Sequence, residues 1–128
     1  MRILLADDHP ALLERVTVLL RSSFDVVGTA HNGQELIEDA MRLDPDVIVT
    51  DIVMPVLTGI EAAHRLRETG SRARIVFLTI HAEDEFIQAC MAEGALGYVV
   101  KCRMATDLLP AIRAALSGQR YVSQPVSG

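Results

Sequence analysis

The chain has 128 residues, of which 50% are hydrophobic and 23% charged, and its formal net charge at pH 7 is -5. That length suits one domain with a full hydrophobic core, and the composition is that of a globule rather than a disordered chain. The negative balance and the lack of any Lys/Arg run exclude a surface that gathers nucleic-acid phosphates by charge. The cysteines, Cys90 and Cys102, form no CxxC or Cys/His cluster and fit a reduced, cytoplasmic protein. The stretch ahead of Asp7 and Asp8 is too short for a signal-peptide core, and no apolar run approaches the roughly 20 residues of a bilayer span. Neither secretion nor membrane insertion is expected.

Short apolar runs begin near Ile3, Val26, Val47, Ile75 and Tyr98. Four of them, "ILLA", "VIVT", "IVFLT" and "YVV", show no alternation, as expected of strands covered on both faces of a parallel sheet. Each run is followed by a stripe at helical spacing. In chain order these are Leu12, Leu13, Val16, Leu19 and Leu20; Leu36, Ile37, Ala40 and Met41; and Ile60, Ala63 and Leu66. Phe86, Ile87, Cys90 and Met91 form the fourth, and Met104, Leu108, Leu109, Ile112 and Leu116 the fifth. Strand starts roughly 20 to 30 residues apart leave room for one strand and one crossover helix, and right-handed crossovers then give a doubly wound α/β sheet. Asp84 suits an N-cap, and Gly94 and Gly97 suit helix termination before the fifth strand. Residues 1–118 form the expected domain. After Gly118 the text "QRYVSQPVSG" loses periodicity, so 119–128 is expected to be a tail or the start of a linker.

Ligands of open α/β sheets bind at the carboxyl ends of the strands. The polar residues there are Asp7 and Asp8 after the first strand, Asp51 after the third, Thr79 at the end of the fourth and Lys101 after the fifth. Taken singly, Asp7 or Asp8 could be a helix cap, Thr79 a strand-favouring residue and Lys101 a surface cation. Asp51 resists the bland reading, because it lies between "VIVT" and "IVMP" and a carboxylate so flanked needs a partner. Together the three acids sum to -3 against +1 from Lys101, a balance that a divalent cation brings to zero. Carboxylates without imidazole or thiolate favour a hard ion, and Mg2+ accepts phosphate oxygens alongside one or two carboxylates. The chemistry that follows is a carboxylate attacking phosphorus to form an aspartyl phosphate, with Mg2+, Lys101 and Thr79 stabilising the charge.

Over residues 2 to 118 the sequence resembles the response-regulator receiver domain of two-component signalling. The paired acids, Asp51 in "DIVMPVLTG", Thr79 in "LTIH" and Lys101 in "GYVVK" stand in that family's order and spacing. "DDHP", "LTIHAEDE", "GALGYVVK" and "SGQRYVS" look more specifically like the NarL/FixJ-type subgroup, whose receivers precede a LuxR-type helix-turn-helix domain. The resemblance implies a flavodoxin-like (βα)5 fold with strand order 2-1-3-4-5. It implies that Asp51 is the phosphoacceptor, that Asp8, Asp51 and the Val53 backbone carbonyl bind Mg2+, and that Asp7 acts through a metal-bound water. Thr79 would move to the phosphoryl group, Tyr98 would turn inward behind it, and Lys101 would pair with the phosphate. The implied partners are a sensor histidine kinase, a second copy on phosphorylation, and DNA only through an output domain outside this chain. A fragment of a longer regulator is the favoured reading, with a stand-alone receiver acting through protein contacts as the alternative. The chain would act only on itself, by phosphorylation and autodephosphorylation, and not as a turnover enzyme.

Cys102 stands where many receivers carry Pro after the site lysine, so no cis Lys-Pro peptide is expected. Val53 offers no polar group to orient a hydrolytic water, whereas His81 could. His9, His31 and His64 read as surface residues, Cys90 as a small buried hydrophobe, and Gly59 as part of a turn after the third strand. A phosphatase of the haloacid dehalogenase type places its nucleophile in a DxD pattern after the first strand, which "ADDHP" does not supply. "ADDHPALLE" holds no glycine, so a nucleotide or flavin phosphate loop ranks low. A degenerate receiver would lack a site residue, and none is missing.

Overall fold

A computed structural model describes residues 1–123; the remainder of the expected tail, 124–128, lies outside the described residues. Strands and helices alternate as β1 (Arg2–Ala6), α1 (Pro10–Leu20), β2 (Asp25–Ala30), α2 (Gly33–Leu43), β3 (Val47–Thr50), α3 (Gly59–Glu68), β4 (Arg74–Thr79), α4 (Asp84–Ala92) and β5 (Gly97–Val100). A 3-10 turn (Lys101–Arg103), α5 (Met104–Leu116) and β6 (Tyr121–Val122) complete the order. The strands pair in parallel in the order β2-β1-β3-β4-β5-β6. The first five reproduce the expected 2-1-3-4-5 order of a flavodoxin-like sheet. The sixth strand departs from it: Tyr121 and Ser123 donate their N–H groups to the Leu96 and Tyr98 carbonyls, both at 2.8 Å. Two residues carry no periodicity that a sequence could show; the open edge of β5 selects them.

Unbroken apolar runs become strands because successive side chains point to opposite faces and both faces are covered. Leu4, Ile48, Phe77 and Tyr98 pack under α2, α3 and α4. Their neighbours Ile3, Leu5, Val47, Val49, Val76, Leu78 and Val99 pack under α1 and α5. No helix among the described residues is long and apolar enough to cross a membrane.

The helix starts are set locally. Asn32 and Thr58 cap α2 and α3 by accepting from the Glu35 and Glu61 N–H groups, at 2.9 and 3.1 Å. Asp84 is not the N-cap of α4. Glu83 occupies that position without a side-chain bond, and Asp84 is the first helical residue, where its charge still faces the helix dipole. Gly94 follows the end of α4 as expected, but Gly97 does not terminate a helix. It opens β5, where a Cβ would stand 2.9 Å from both methyls of Val76, so bare backbone is needed for close strand packing. Met41 falls at the edge of the α2 stripe and is 65% exposed, outside the core that Leu36, Ile37 and Ala40 enter. Pro110 lies inside α5, which continues through it.

Candidate functional site

The order of the strands brings the polar residues together. β1 and β3 are neighbours, with Ala6 opposite Thr50, so the residues that follow, Asp7 and Asp51, emerge side by side at the switch point of the sheet. Backbone bonds fix their level: Asp51 N–H donates to the Ala6 carbonyl and Asp7 N–H to the Ala30 carbonyl, each at 3.0 Å. β5 pairs with β4 through Val100 opposite Thr79, which places Lys101 one residue beyond that pair.

Lys101 joins the two acids. Its Nζ lies 2.8 Å from Asp7 Oδ2 and 2.9 Å from Asp51 Oδ2. Asp7 and Asp51 are only 3% and 5% exposed, so each carboxylate needs charge and hydrogen-bond partners. Asp51 Oδ1 accepts from the Ile52 N–H at 2.7 Å, and Asp7 Oδ1 accepts from the His9 N–H at 2.9 Å. Burial pushes the Asp7 pKa up, but bonds from Lys101 and His9 outweigh it and hold the group below its usual value. Burial likewise pulls Lys101 down, and its bonds to Asp7 and Asp51 return it above the ordinary lysine value.

Asp8 is exposed beside this trio and joins Asp7 and His9 in a second cluster, whose candidate ligand atoms lie within 4.8 Å of one another. His9 has a part that its sequence reading as a surface residue missed. Its Nδ1 lies 2.9 Å from Asp7 Oδ1 and 3.1 Å from Asp8 Oδ1, and the hydrogen bond it donates to Asp7, then the Asp8 charge, raises its pKa. The signal was present in the adjacency of "DDH", but no ligand spacing marks it. Asp51 is not part of that cluster, and Val53, two residues after it, is an exposed side chain.

Thr79 and Tyr98 meet through His81. The fully buried Thr79 hydroxyl accepts from the His81 N–H at 3.3 Å, and the Tyr98 hydroxyl donates to the His81 carbonyl at 2.7 Å. Tyr98 is already buried in this structure, where its ring belongs to the core under α4. Core burial and the bond to the His81 carbonyl hold the ring in this position. The His81 imidazole stacks on Phe86, with ring centroids 4.4 Å apart. Cys90 is buried as expected, its thiol pushed up to about 12 by burial, and Cys102 is exposed.

The β3–α3 loop also shapes the site. Gly59 packs so closely on Asp51 that a Cβ there would stand 1.9 Å from the Asp51 carbonyl oxygen, and its N–H donates to Ile52 O at 2.7 Å. Its role is close approach rather than an unusual φ. Val56 takes φ +71° with Leu57 N–H bonded to the Pro55 carbonyl, a strained γ-turn for a β-branched residue.

Residues 3–113 match the family model described as the response regulator receiver domain. The chain is 39% identical over 127 residues to the nitrate/nitrite response regulator protein NarL of Escherichia coli (strain K12), covering 98% of this chain and 59% of that protein. It therefore spans about three-fifths of that relative's length. The crystal structure of a LuxR-family two-component response regulator from Aurantimonas sp. SI85-9A1 superposes with a TM-score of 0.89 at 34% identity, covering 94% of this chain and 87% of that one. The isolated REC domain of RcsB from Salmonella enterica serovar Typhimurium, solved in the presence of phosphomimetic BeF3-, gives 0.88 at 27% identity over 97% of this chain and 94% of that one.

Proposed function

The chain belongs to the response regulator receiver domain family, and from this we propose that it is a phosphorylation switch in which Asp51 accepts a phosphoryl group from a histidine kinase. The observation that carries this reading is the ammonium of Lys101 held between two buried carboxylates at the switch point of the sheet. An Asp51 carboxylate oxygen attacks phosphorus, and the bond from phosphorus to the kinase imidazole nitrogen breaks with its electron pair going to that nitrogen. Lys101, released from Asp51 Oδ2, turns to the new phosphoryl oxygens as a fixed donor. The Ile52 N–H keeps the other carboxylate oxygen in place. Thr79 here uses its oxygen to accept from His81, so its own O–H remains to donate to the phosphoryl group.

The donor set fits a hard divalent cation: Asp7, Asp8 and Asp51 supply carboxylate oxygens and an excess of negative charge. Asp8, Asp51 and the Val53 carbonyl would hold Mg2+, with Asp7 acting through a water and His9 bonded to the acids from outside. When bound, Mg2+ neutralises charge on the phosphoryl oxygens and lowers the repulsion met by the donor. With Tyr98 packed in the core, phosphorylation would act by a shift in population between arrangements rather than by a new fold. The output would be transcription through a DNA-binding domain following this one, in keeping with the NarL and LuxR-family relatives. The domain changes its own state and turns over no separate substrate.

Incubation with Mg2+ and a small acyl phosphate should add one phosphoryl mass to the wild-type chain and none to Asp51→Asn, with chelation by EDTA abolishing the gain. An unmodified wild type under saturating donor would refute the proposal.

A further inference from the structure

Among the described residues, one buried carboxylate lies outside the Asp7–Asp51–Lys101 site. Asp107, in the first turn of α5, is 4% exposed, and Ser123, after β6, is 6% exposed. The Ser123 hydroxyl donates to Asp107 Oδ2 at 2.7 Å and accepts from the Val100 N–H at 3.2 Å. Arg103 Nε donates to the same Asp107 oxygen at 3.0 Å, and Thr106 Oγ1 to the other at 3.1 Å. An exposed acid at a helix N-terminus is satisfied by solvent and the helix dipole, whereas a buried one needs partners such as these. Lys101 sits between the two anchored points. The N–H of Val100, just before it, is held by Ser123, and the side chain of Arg103, two residues after it, is held by Asp107. Lys101 reaches Asp7 and Asp51 from a backbone clamped on both sides by this pair.

We propose that Asp107 and Ser123 are positioning residues for Lys101, and that β6 is a latch through which the state of Asp51 and the attachment of the chain's C-terminal segment are coupled. The proposal rests on the reading of Asp51 as the phosphoacceptor. When Lys101 is drawn toward a phosphoryl group, the strain falls on the Val100–Ser123 bond and the β5–β6 edge. A load on the chain beyond Ser123 is transmitted along the same bonds to Lys101, because coupling between two sites is reciprocal.

The test uses the full chain in Mg2+ with beryllofluoride as the probe. Amide exchange at Tyr121 and Ser123 should change severalfold on binding. Ser123→Ala and Asp107→Asn should weaken beryllofluoride binding about fivefold, while Ser123→Thr, which keeps the hydroxyl, should bind like wild type. Leu20→Ala, a core truncation in the last turn of α1 at the opposite end of the sheet, lowers stability and should leave the affinity unchanged. Equal affinity in Ser123→Ala and wild type, or equal weakening in Leu20→Ala, would overturn the latch. If the wild type binds no beryllofluoride, the Asp51 reading fails and the clamp is judged on the free chain. It stands if Ser123→Ala shifts the Lys101 Nζ resonance more than Leu20→Ala does, and falls if it does not.

Discussion

Lys101 can hold two acids at once because burial removes water as a competitor for all three groups. Removing the lysine would strand two carboxylates, which is the costly way to break a buried ion pair. The same economy of space applies to the backbone beside Asp51. Gly59 is open to no larger residue, because the atom that a Cβ would meet at 1.9 Å is the Asp51 carbonyl oxygen and not a side chain that can swing away. Gly59→Ala should destabilise the domain by about 1–3 kcal/mol and, by moving Asp51, the proposed phosphoacceptor, slow phosphoryl uptake about a hundredfold. Urea unfolding and timed mass spectrometry with acyl phosphate would measure the two effects. Stability loss with an unchanged uptake rate would show that the contact is structural alone. The sequence places Gly59 in a turn, but the contact between positions 51 and 59 is visible only when the loop has closed.

Elements formed where local pattern and tertiary demand agree. α5 runs through Pro110 although proline removes an N–H from the ladder, because Leu108, Ala111, Ile112 and Ala115 on its inner face are fully buried and Pro110 faces solvent. β6 is the opposite case, an element with almost no local signal, kept by Asp107 and Ser123. Burial pushes the Asp107 pKa up, and bonds from Ser123, Arg103 and Thr106 together bring it below its usual value. A depressed carboxylate pKa stabilises the fold above the unfolded value near 3.8 and loses that contribution as pH falls through the folded value. Asp107→Asn should therefore cost about 1–3 kcal/mol near neutral pH, and the gap to wild type should close as the pH falls through and below 3.8. Urea midpoints measured across that range test it; a gap independent of pH would mean that the carboxylate charge contributes nothing.

For the molecule as a unit, the acid-rich edge carries more negative than positive charge. Asp7, Asp8 and Asp51 against Lys101 leave a deficit that a divalent cation reduces. Mg2+ should accordingly raise the thermal midpoint, by the equivalent of about 2.7 kcal/mol at a hundredfold excess over its dissociation constant. Asp8→Asn should lose most of the rise, because Asp8 lies outside the buried trio and its replacement leaves the Lys101 bridge intact. An Mg2+ effect of equal size in Asp8→Asn would remove that residue from the metal set.

The strand-helix alternation and the acids, threonine and lysine at the strand ends were legible in the sequence because each rests on short-range pattern: apolar run length, helical spacing, and polar residues at run ends. The sheet order placed those ends together as expected. Other features had little or no sequence signal. The bonds of His9 to the acids, the bond of Tyr98 to the His81 carbonyl, the fit of Gly59 against Asp51 and the β6 latch on Asp107 depend on contacts between segments remote in the chain or on side-chain geometry that spacing does not encode. A pattern records which face of an element is buried, and packing alone determines what each buried polar group finds there.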